Sequence, residues 1–278
     1  MNINEILRKA TSKLDAAGIE NARLDAEILL AHVLNCRRLY LYVDADKNVS
    51  PDRINRYESL IESRIEKIPV AYLTGQREFF GLNFAVTPAV LIPRPDTEIL
   101  VQVSIEKLSK IDSPIFLDIG TGSGAICISI LKQLKTARAV TVDISADAID
   151  CAKFNAEKFG VDDRLTFHIG NLFEPLRGQK FHAVISNPPY IPTKDLATLQ
   201  DEVQREPQLA LDGGSDGLNF YRRIIDEASK FLFDGGFLAV EIGINQVDAV
   251  KSLMSKNFNA VEIFRDLSNI ERVVCGAI

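Results

Sequence analysis

The sequence predicts an α/β fold in which a seven-stranded, mostly parallel sheet follows a small helical domain. From residue 93 onward, β-branched apolar runs alternate with amphipathic helical stretches, the spacing that right-handed βαβ crossovers require. The last two runs, AVEIFR and RVVCGA, are joined only by the short segment DLSNIE, so this pair must be antiparallel. The length of 278 residues exceeds the usual domain size of about 100–150 residues, which leaves room for the helical part.

Residues 1–70 are predicted to form helices. Asn4 is expected to cap a first helix that runs to Gly18, and Ser50 with Pro51 marks a later helix start, because Ser is a good cap and Pro suits the first helical position. The helix between them is expected to turn these apolar side chains toward one face: Leu24, Leu30, Val33 and Leu34.

A β-hairpin over residues 71–92 is expected to join the two domains, since YLTG, EFFG and LNFAVT are short aromatic and β-branched runs punctuated by glycine. The domain that follows, 93–278, is expected to begin with a helix capped by Asp96 or Thr97. The strands of its sheet are predicted at PIFLDI, AVTVDI, LTFHI, HAVIS, GFLAVEI, AVEIFR and RVVCGA.

Composition and charge exclude several classes of protein. Hydrophobic residues make up 46% and charged residues 25%, as in ordinary globular proteins and unlike disordered chains. No run approaches the 18–20 apolar residues, roughly, of a membrane helix, and the N-terminus is charged, so we expect a cytoplasmic protein without membrane contact. The net charge is −6 and neither part of the chain is basic, which argues against direct nucleic-acid binding. Scattered cysteines and histidines predict no metal site.

A glycine-rich loop follows the strand PIFLDI and opens a helix, an arrangement that lets a ligand approach main-chain amides. Its residues are Gly120, Thr121, Gly122, Ser123 and Gly124. A dinucleotide is one candidate ligand, because Asp143 ends the next strand where a ribose-binding acid belongs, although Asp143 is also placed to cap the following helix. Asp118 favours S-adenosylmethionine instead, since a carboxylate beside the loop would repel a pyrophosphate and attract a sulfonium and an ammonium.

The tetrad Asn187-Pro188-Pro189-Tyr190 directly follows the strand HAVIS. Ligands of open parallel sheets bind beyond the carboxyl ends of the strands, so the tetrad and the glycine loop are expected to face one crevice. The prolines remove two amide donors and leave carbonyls free to accept hydrogen bonds. With the Asn187 side-chain carbonyl and the plane of Tyr190, this set suits a planar NH2 group, whereas a proline-rich turn with an Asx cap is the purely structural alternative.

In their order, these motifs resemble the HemK/PrmC family, glutamine N5-methyltransferases that modify peptide-chain release factors. The matching blocks are AYLTGQREFFGLNFAVTPAVLIPRPDTEILV, LDIGTGSGAI, VDIS, SNPPYI, EPQLALDGGSDGL, EIG and RVVCG. The stretch PRPDTE favours this family over the sister family acting on a large-subunit ribosomal protein, which typically differs there. Because NPPY is shared with amino-methylating nucleic-acid enzymes, adenine-N6 methylation stays as an alternative. The sister family leaves methylation of a ribosomal-protein glutamine as a second alternative, and a cofactor-binding scaffold with vestigial catalysis is a third.

The resemblance implies a class I S-adenosylmethionine-dependent methyltransferase: a Rossmann-like sheet whose last strand pair is antiparallel, with the helical domain recognising the substrate. It implies methyl transfer from S-adenosylmethionine, leaving S-adenosylhomocysteine, to the glutamine N5 in the GGQ motif of class-1 release factors, which supports translation termination. The protein is expected to be a monomer.

The resemblance also assigns the site residues. The loop Gly120–Gly124 would contact the methionine portion of the cofactor, Asp143 the ribose, and Leu172 the adenine. A larger aromatic residue is common at the position of Leu172, so Asn171 is the alternative adenine contact. Residues Asn187 to Tyr190 would clamp the substrate glutamine, with Asn187, Pro188 and Tyr190 as the catalytic residues and Asn187 also bordering the cofactor.

Overall fold

A computed structural model describes all 278 residues, which fall into two compact units. The helical unit comprises Met1–Gln76 and the short segment Gln200–Arg205, and the α/β unit comprises Arg77–Leu199 and Glu206–Ile278. No helix in either unit combines the length and the apolar character needed to cross a membrane.

The helical unit contains five helices around one apolar core. They are α1 (Ile3–Ala16), α2 (Ala22–Leu34), α3 (Tyr40–Val43), α4 (Pro51–Ile65) and α5 (Val70–Thr74). The prediction that Asn4 caps the first helix is wrong, because Asn2 is the cap. Asn2 Oδ1 accepts from the Glu5 amide at 2.9 Å and the Asn2 amide donates to Glu5 Oε2 at 3.0 Å, which closes a capping box two residues earlier.

Two further expectations for this unit need correction. Leu24 does not share the buried face of α2, since it is 39% exposed while Leu29 and Leu30 are fully buried. The helix α4 begins at Pro51 as predicted, but the Ser50 side chain makes no capping hydrogen bond.

The predicted hairpin forms, and it is shorter than expected. Its strands are β1 (Gln76–Phe79) and β2 (Leu82–Ala85), and the turn residues Phe80 and Gly81 both have positive φ, as in a two-residue hairpin of type I′. The prediction of a strand at YLTG is wrong: the segment forms the single-turn helix α5, which Gly75 ends in the left-handed conformation.

The α/β unit contains the predicted seven-stranded sheet. Its helices are α6 (Glu98–Leu108), α7 (Ala125–Gln133), α8 (Ala146–Phe159), α9 (Asn219–Ala228) and α10 (Val247–Met254). Its strands are β3 (Ile115–Ile119), β4 (Arg138–Asp143), β5 (Leu165–Ile169), β6 (Phe181–Ser186), β7 (Leu232–Glu241), β8 (Ala260–Arg265) and β9 (Glu271–Ala277). The strand order is β5-β4-β3-β6-β7-β9-β8, and β9 is antiparallel to both of its neighbours, which confirms the predicted fold class.

Helices cover both faces of this sheet. Alternate residues of β3 enter opposite cores: Phe116 packs with α6, α7 and α8, and Leu117 packs with α9 and α10. The chain runs outward from β3 through β4 to β5 and then returns to β6 on the other side of β3. The carboxyl ends of β3 and β6 therefore form the topological switch point, where open α/β sheets bind their ligands.

Candidate active site

The two sequence motifs meet at the switch point. Ile119 and Ser186, the last residues of β3 and β6, are register partners, so Gly120 and Asn187 begin neighbouring loops. A Cβ atom placed on Gly120 would lie 3.9 Å from the Asn187 carbonyl oxygen. The glycine loop and the tetrad thus face one another across a narrow gap.

The glycine loop leaves open space on one side and packs closely on the other. Gly120, Gly122 and Gly124 all have positive φ, which a side chain would strain. At Gly122 an added Cβ would meet no atom within 4 Å, whereas at Gly124 it would lie 2.7 Å from Ile128 Cδ1. Gly122 therefore keeps room for a ligand, and Gly124 permits the start of α7 to pack.

The two polar residues of the loop point inward. Thr121 is buried and its hydroxyl is hydrogen bonded to the hydroxyl of Thr141 on β4. Ser123 is also buried, and its carbonyl accepts from Asn155 Nδ2 at 2.9 Å. Asn155 also bonds both main-chain groups of Ala85 in the hairpin, so one side chain links the glycine loop to the hairpin.

Asp118 is a buried carboxylate directly before the loop. It is fully inaccessible, and neither oxygen makes a hydrogen bond within the usual distance and angle limits, although the thiol and main-chain amide of Cys127 lie near enough to lower its pKa. Burial raises its pKa to about 7, and the nearby Asp143 carboxylate adds to the increase. Because an unpaired buried carboxylate is costly, this position favours a cationic group beside it.

Asp143 ends β4 and holds the glycine loop through hydrogen bonds. Its Oδ2 accepts from the Gly122 amide at 2.9 Å, and its Oδ1 accepts from the Ser145 amide at 2.9 Å. The helix α8 is capped by Ser145, whose hydroxyl accepts from the Ala148 amide, so capping is not the role of Asp143. Each carboxylate oxygen can still accept a second hydrogen bond.

Asn171 and Leu172, the two predicted adenine contacts, are largely engaged by other parts of the protein. Asn171 Nδ2 donates to Glu174 Oε1 at 3.1 Å, and its Oδ1 accepts from Arg223 Nη2 at 3.0 Å. Leu172 is 8% exposed and belongs to the apolar core under α9. An adenine contact at either residue stays a prediction.

Asn187 is oriented by a residue that the sequence suggested only as a helix cap. Its Nδ2 donates to Thr97 Oγ1 at 3.1 Å, which leaves Oδ1 as the free end of the amide. Neither predicted cap of α6 acts as one: Thr97 makes no capping bond, and Asp96 forms an ion pair with Arg272 at 2.8 Å.

Tyr190 is held by groups distant in the sequence. Its carbonyl accepts from Gln246 Nε2 at 2.9 Å, and a Cβ on Gly213 or Gly243 would lie within 3 Å of Tyr190 atoms. Burial raises the pKa of Tyr190 to about 12, so the phenol is neutral and is no general base. The ring can act as a flat packing surface.

Sequence reasoning missed three supporting residues: Thr97 as a partner of Asn187, Gln246 and Glu206. Glu206 is buried, accepts from the Ile92 amide at 2.9 Å and pairs with Arg94, so it holds the LIPRPDTE loop. The sequence contains a hint, because Glu206 opens the block EPQLALDGG directly before a proline. The neighbouring residues, however, do not indicate which loop Glu206 contacts.

A sheet of this order, with a glycine loop after its first strand and Asn-Pro-Pro-Tyr at the adjoining edge, defines a class I methyltransferase. Solved structures share the fold. A methyltransferase from Pyrococcus furiosus is 17% identical with a TM-score of 0.53, covering 82% of this chain and 98% of that one. The 16S rRNA N2 G1207 methyltransferase of T. thermophilus is 16% identical with a TM-score of 0.54, and the match covers 73% of this chain and 49% of that one.

Sequence comparison identifies the family. Residues 5–75 match the PrmC N-terminal domain and residues 96–215 the methyltransferase small domain. Release factor glutamine methyltransferase of Geobacter sulfurreducens is 44% identical over 99% of this chain and 96% of its own length. Release factor glutamine methyltransferase of Moorella thermoacetica is 44% identical over 91% of this chain and 89% of its own length. The chain belongs to the release factor glutamine methyltransferase family, which confirms the resemblance of its motifs.

Proposed function

We propose that this protein methylates the side-chain amide nitrogen of the GGQ glutamine in class-1 release factors. The observation that carries the proposal is the geometry of Asn187. Its amide nitrogen is bound to Thr97, so its side-chain oxygen remains as an acceptor. Pro188, the next residue in the chain, adds a carbonyl acceptor and no amide donor. Two acceptors match the two hydrogens of a primary amide. The names of the close relatives support the same substrate.

The methyl donor we propose is S-adenosylmethionine, which supplies an electrophilic methyl group when bound. The residues present fit it: the Gly122 turn is open, and Asp118 is an unpartnered buried carboxylate suited to a cationic methionine portion. Asp143 keeps acceptor capacity for ribose hydroxyls. Asn171 and Leu172 remain the proposed adenine contacts.

The chain's own residues would catalyse by orientation. An amide nitrogen is a poor nucleophile because its lone pair is delocalised into the carbonyl. Asn187 Oδ1 and the Pro188 carbonyl each accept one amide hydrogen, and Tyr190 packs on the amide plane, which turns the nitrogen lone pair toward the methyl group. Orientation of this kind can supply as much as about 7–11 kcal/mol. The extra proton leaves after the N–C bond forms, since an alkylated amide nitrogen is strongly acidic.

Recognition of the release factor is assigned to the helical unit. Four large apolar or aromatic side chains are exposed within one five-residue stretch of this unit, a feature that marks interaction sites. This patch, which we call the α3 patch, consists of Leu39, Tyr40, Tyr42 and Val43. A glutamine alone offers too little surface for selectivity, so contacts remote from it must discriminate. We propose that the enzyme acts as a cytoplasmic monomer.

The test is methyl transfer by the full-length protein to an intact release factor. Intact-mass analysis should show the addition of one methyl group, and peptide fragmentation should place it on the GGQ glutamine. Asn187→Ala should bind S-adenosylmethionine normally in calorimetry but lose transfer by at least about 100-fold, because an orienting acceptor is lost.

Duplex DNA is assayed in parallel as the alternative substrate. Methylated DNA with an unmodified release factor would contradict the proposal, and near-normal turnover by Asn187→Ala would contradict the clamp.

A further inference from the structure

Glu241 is a buried carboxylate that the proposed clamp does not use. It is the last residue of β7, at the same edge of the sheet as the tetrad, and only 2% of it is exposed. Its Oε2 has no hydrogen-bond partner. A carboxylate kept in such surroundings costs stability, so its presence beside a functional site asks for a functional explanation.

The neighbours of Glu241 connect it to the clamp. Ser186 on β6 and Val240 on β7 are register partners, so Asn187 and Glu241 follow them on neighbouring strands. Asn187 Nδ2 donates to Thr97 Oγ1 at 3.1 Å, and both side chains act on the pKa of the Glu241 carboxyl, which places them next to it. A threonine hydroxyl has one hydrogen and two lone pairs. When Thr97 accepts from Asn187, its own hydrogen is free to donate, and the unpartnered Glu241 carboxylate is the acceptor we assign to it.

We propose that Glu241 is a positioning residue for methyl transfer, which acts through Thr97 to hold the Asn187 amide with its nitrogen inward and its oxygen toward the substrate. This inference rests on the proposed function and deepens it. Glu241 need not touch the substrate.

The need for such a residue follows from the shape of an asparagine amide. Its oxygen and nitrogen ends are nearly identical in size, so packing alone does not choose between the two orientations. The reversed amide would turn its N–H donors toward the substrate NH2 group, which is itself a donor. The substrate would then lose the Asn187 acceptor, and the two sets of N–H dipoles would repel each other. An ionised Glu241 can only accept hydrogen bonds, so the Thr97 hydroxyl donates its one hydrogen to it. Thr97 can then only accept a hydrogen bond from Asn187.

Protonation reverses this direction. A protonated Glu241 can donate to Thr97, whose hydrogen is then free to donate to Asn187 Oδ1, and the unproductive orientation gains a hydrogen bond.

The protonation of Glu241 changes near neutral pH. Burial raises the pKa of its carboxyl to about 7, Asp96 also raises it, and the neighbouring Thr97, Arg272 and Asn187 lower it. The phenols of Tyr190 and Tyr221 face the same carboxyl, and both have raised pKa values, so they stay neutral. The productive form is therefore the ionised one, present above about pH 7 and lost as the pH falls.

The experiment measures kcat for methyl transfer to intact release factor at saturating S-adenosylmethionine, between about pH 6 and pH 8.5. Saturation matters because the pKa of Asp118 is also about 7, and its protonation should affect cofactor affinity and not kcat. The pH profile of the wild-type kcat should have an acidic limb, in which kcat falls about tenfold for each pH unit below about pH 7.

Three variants and one control separate positioning from simple packing. Thr97→Val should lower kcat by about 10–100-fold with less than about a twofold change in the KM for release factor and the Kd for cofactor, whereas Thr97→Ser should retain kcat within about threefold. Glu241→Gln should lower kcat at pH 8 and abolish the limb, since a carboxamide does not titrate. Ser129→Ala is the matched control, because it removes a buried, unpartnered hydroxyl of α7 and should leave kcat unchanged.

The outcomes are distinguishable. No transfer by the wild-type protein contradicts the proposed function itself. Transfer by the wild type together with an unchanged kcat in Thr97→Val, or with the wild-type limb retained in Glu241→Gln, overturns the positioning role alone. Melting temperatures of all four variants identify any loss of fold, and the wild-type pH profile tests the inference even if Glu241→Gln does not fold.

Discussion

Single buried charges in this protein are costly, and Asp118 is the clearest example. Its pKa is raised from 3.8 to about 7, so ionisation penalises the folded state once the pH exceeds the unfolded value, and the penalty grows until the pH passes about 7. We predict that Asp118→Asn raises the melting temperature at pH 8 by about 2–8 °C and by less at pH 5. The same variant should bind S-adenosylmethionine about 10–100-fold more weakly, because a charged partner is lost.

Differential scanning calorimetry at both pH values and calorimetric titration of the cofactor measure the two effects. Unchanged cofactor affinity would remove Asp118 from the binding site, and an equal gain at both pH values would show that its ionisation is not the cause.

At the scale of an element, the loop after β6 depends on glycines that leave space for Tyr190. Gly217 has a φ of 76°, and a Cβ there would collide with the Tyr190 carbonyl. Gly178 has a φ of 79° and nothing within 4 Å, so it has the same backbone strain without the collision. We predict that Gly178→Ala and Gly217→Ala both lose about 1 kcal/mol of stability from strain, and that only Gly217→Ala also loses methyl transfer, by at least about tenfold. Thermal unfolding and the transfer rate measure this. Equal transfer rates in the two variants would show that the glycine does not position Tyr190.

Elements were predictable where a local pattern decides the structure. The strands of the sheet are short apolar runs, and the carboxyl ends of parallel strands share one edge, so the meeting of Gly120 and Asn187 followed from the sequence. Thr97 and Gln246 did not follow, because their partners lie 90 and 56 residues away along the chain. The segment YLTG was misassigned because a run of four residues carries too little periodicity to separate a helical turn from a strand.

At the scale of the whole molecule, we propose that the α3 patch provides selectivity for the release factor. Leu39 and Val43 are each 70% exposed, so their replacement should not disturb the helical core. We predict that the double variant Leu39→Ala, Val43→Ala raises the KM for release factor by about tenfold and leaves kcat and cofactor affinity unchanged. Leu267→Ala in the α/β unit is the matched control, since Leu267 is fully exposed. An unchanged KM in the double variant would move recognition to another surface.

The helical unit is not one continuous stretch of sequence, and this affects how the family can be recombined. The segment Gln200–Arg205 belongs to it, and there Glu202 Oε1 pairs with the buried Arg64 at 2.7 Å, while Arg205 Nη2 donates to the Glu66 carbonyl at 2.9 Å. A chimera made by a single crossover at residue 76 would join Arg64 of one parent to the 200–205 segment of the other. Exchange of the helical unit between relatives therefore requires both segments to be carried together, because a parent without an acid at position 202 would leave the buried Arg64 with one carboxylate fewer.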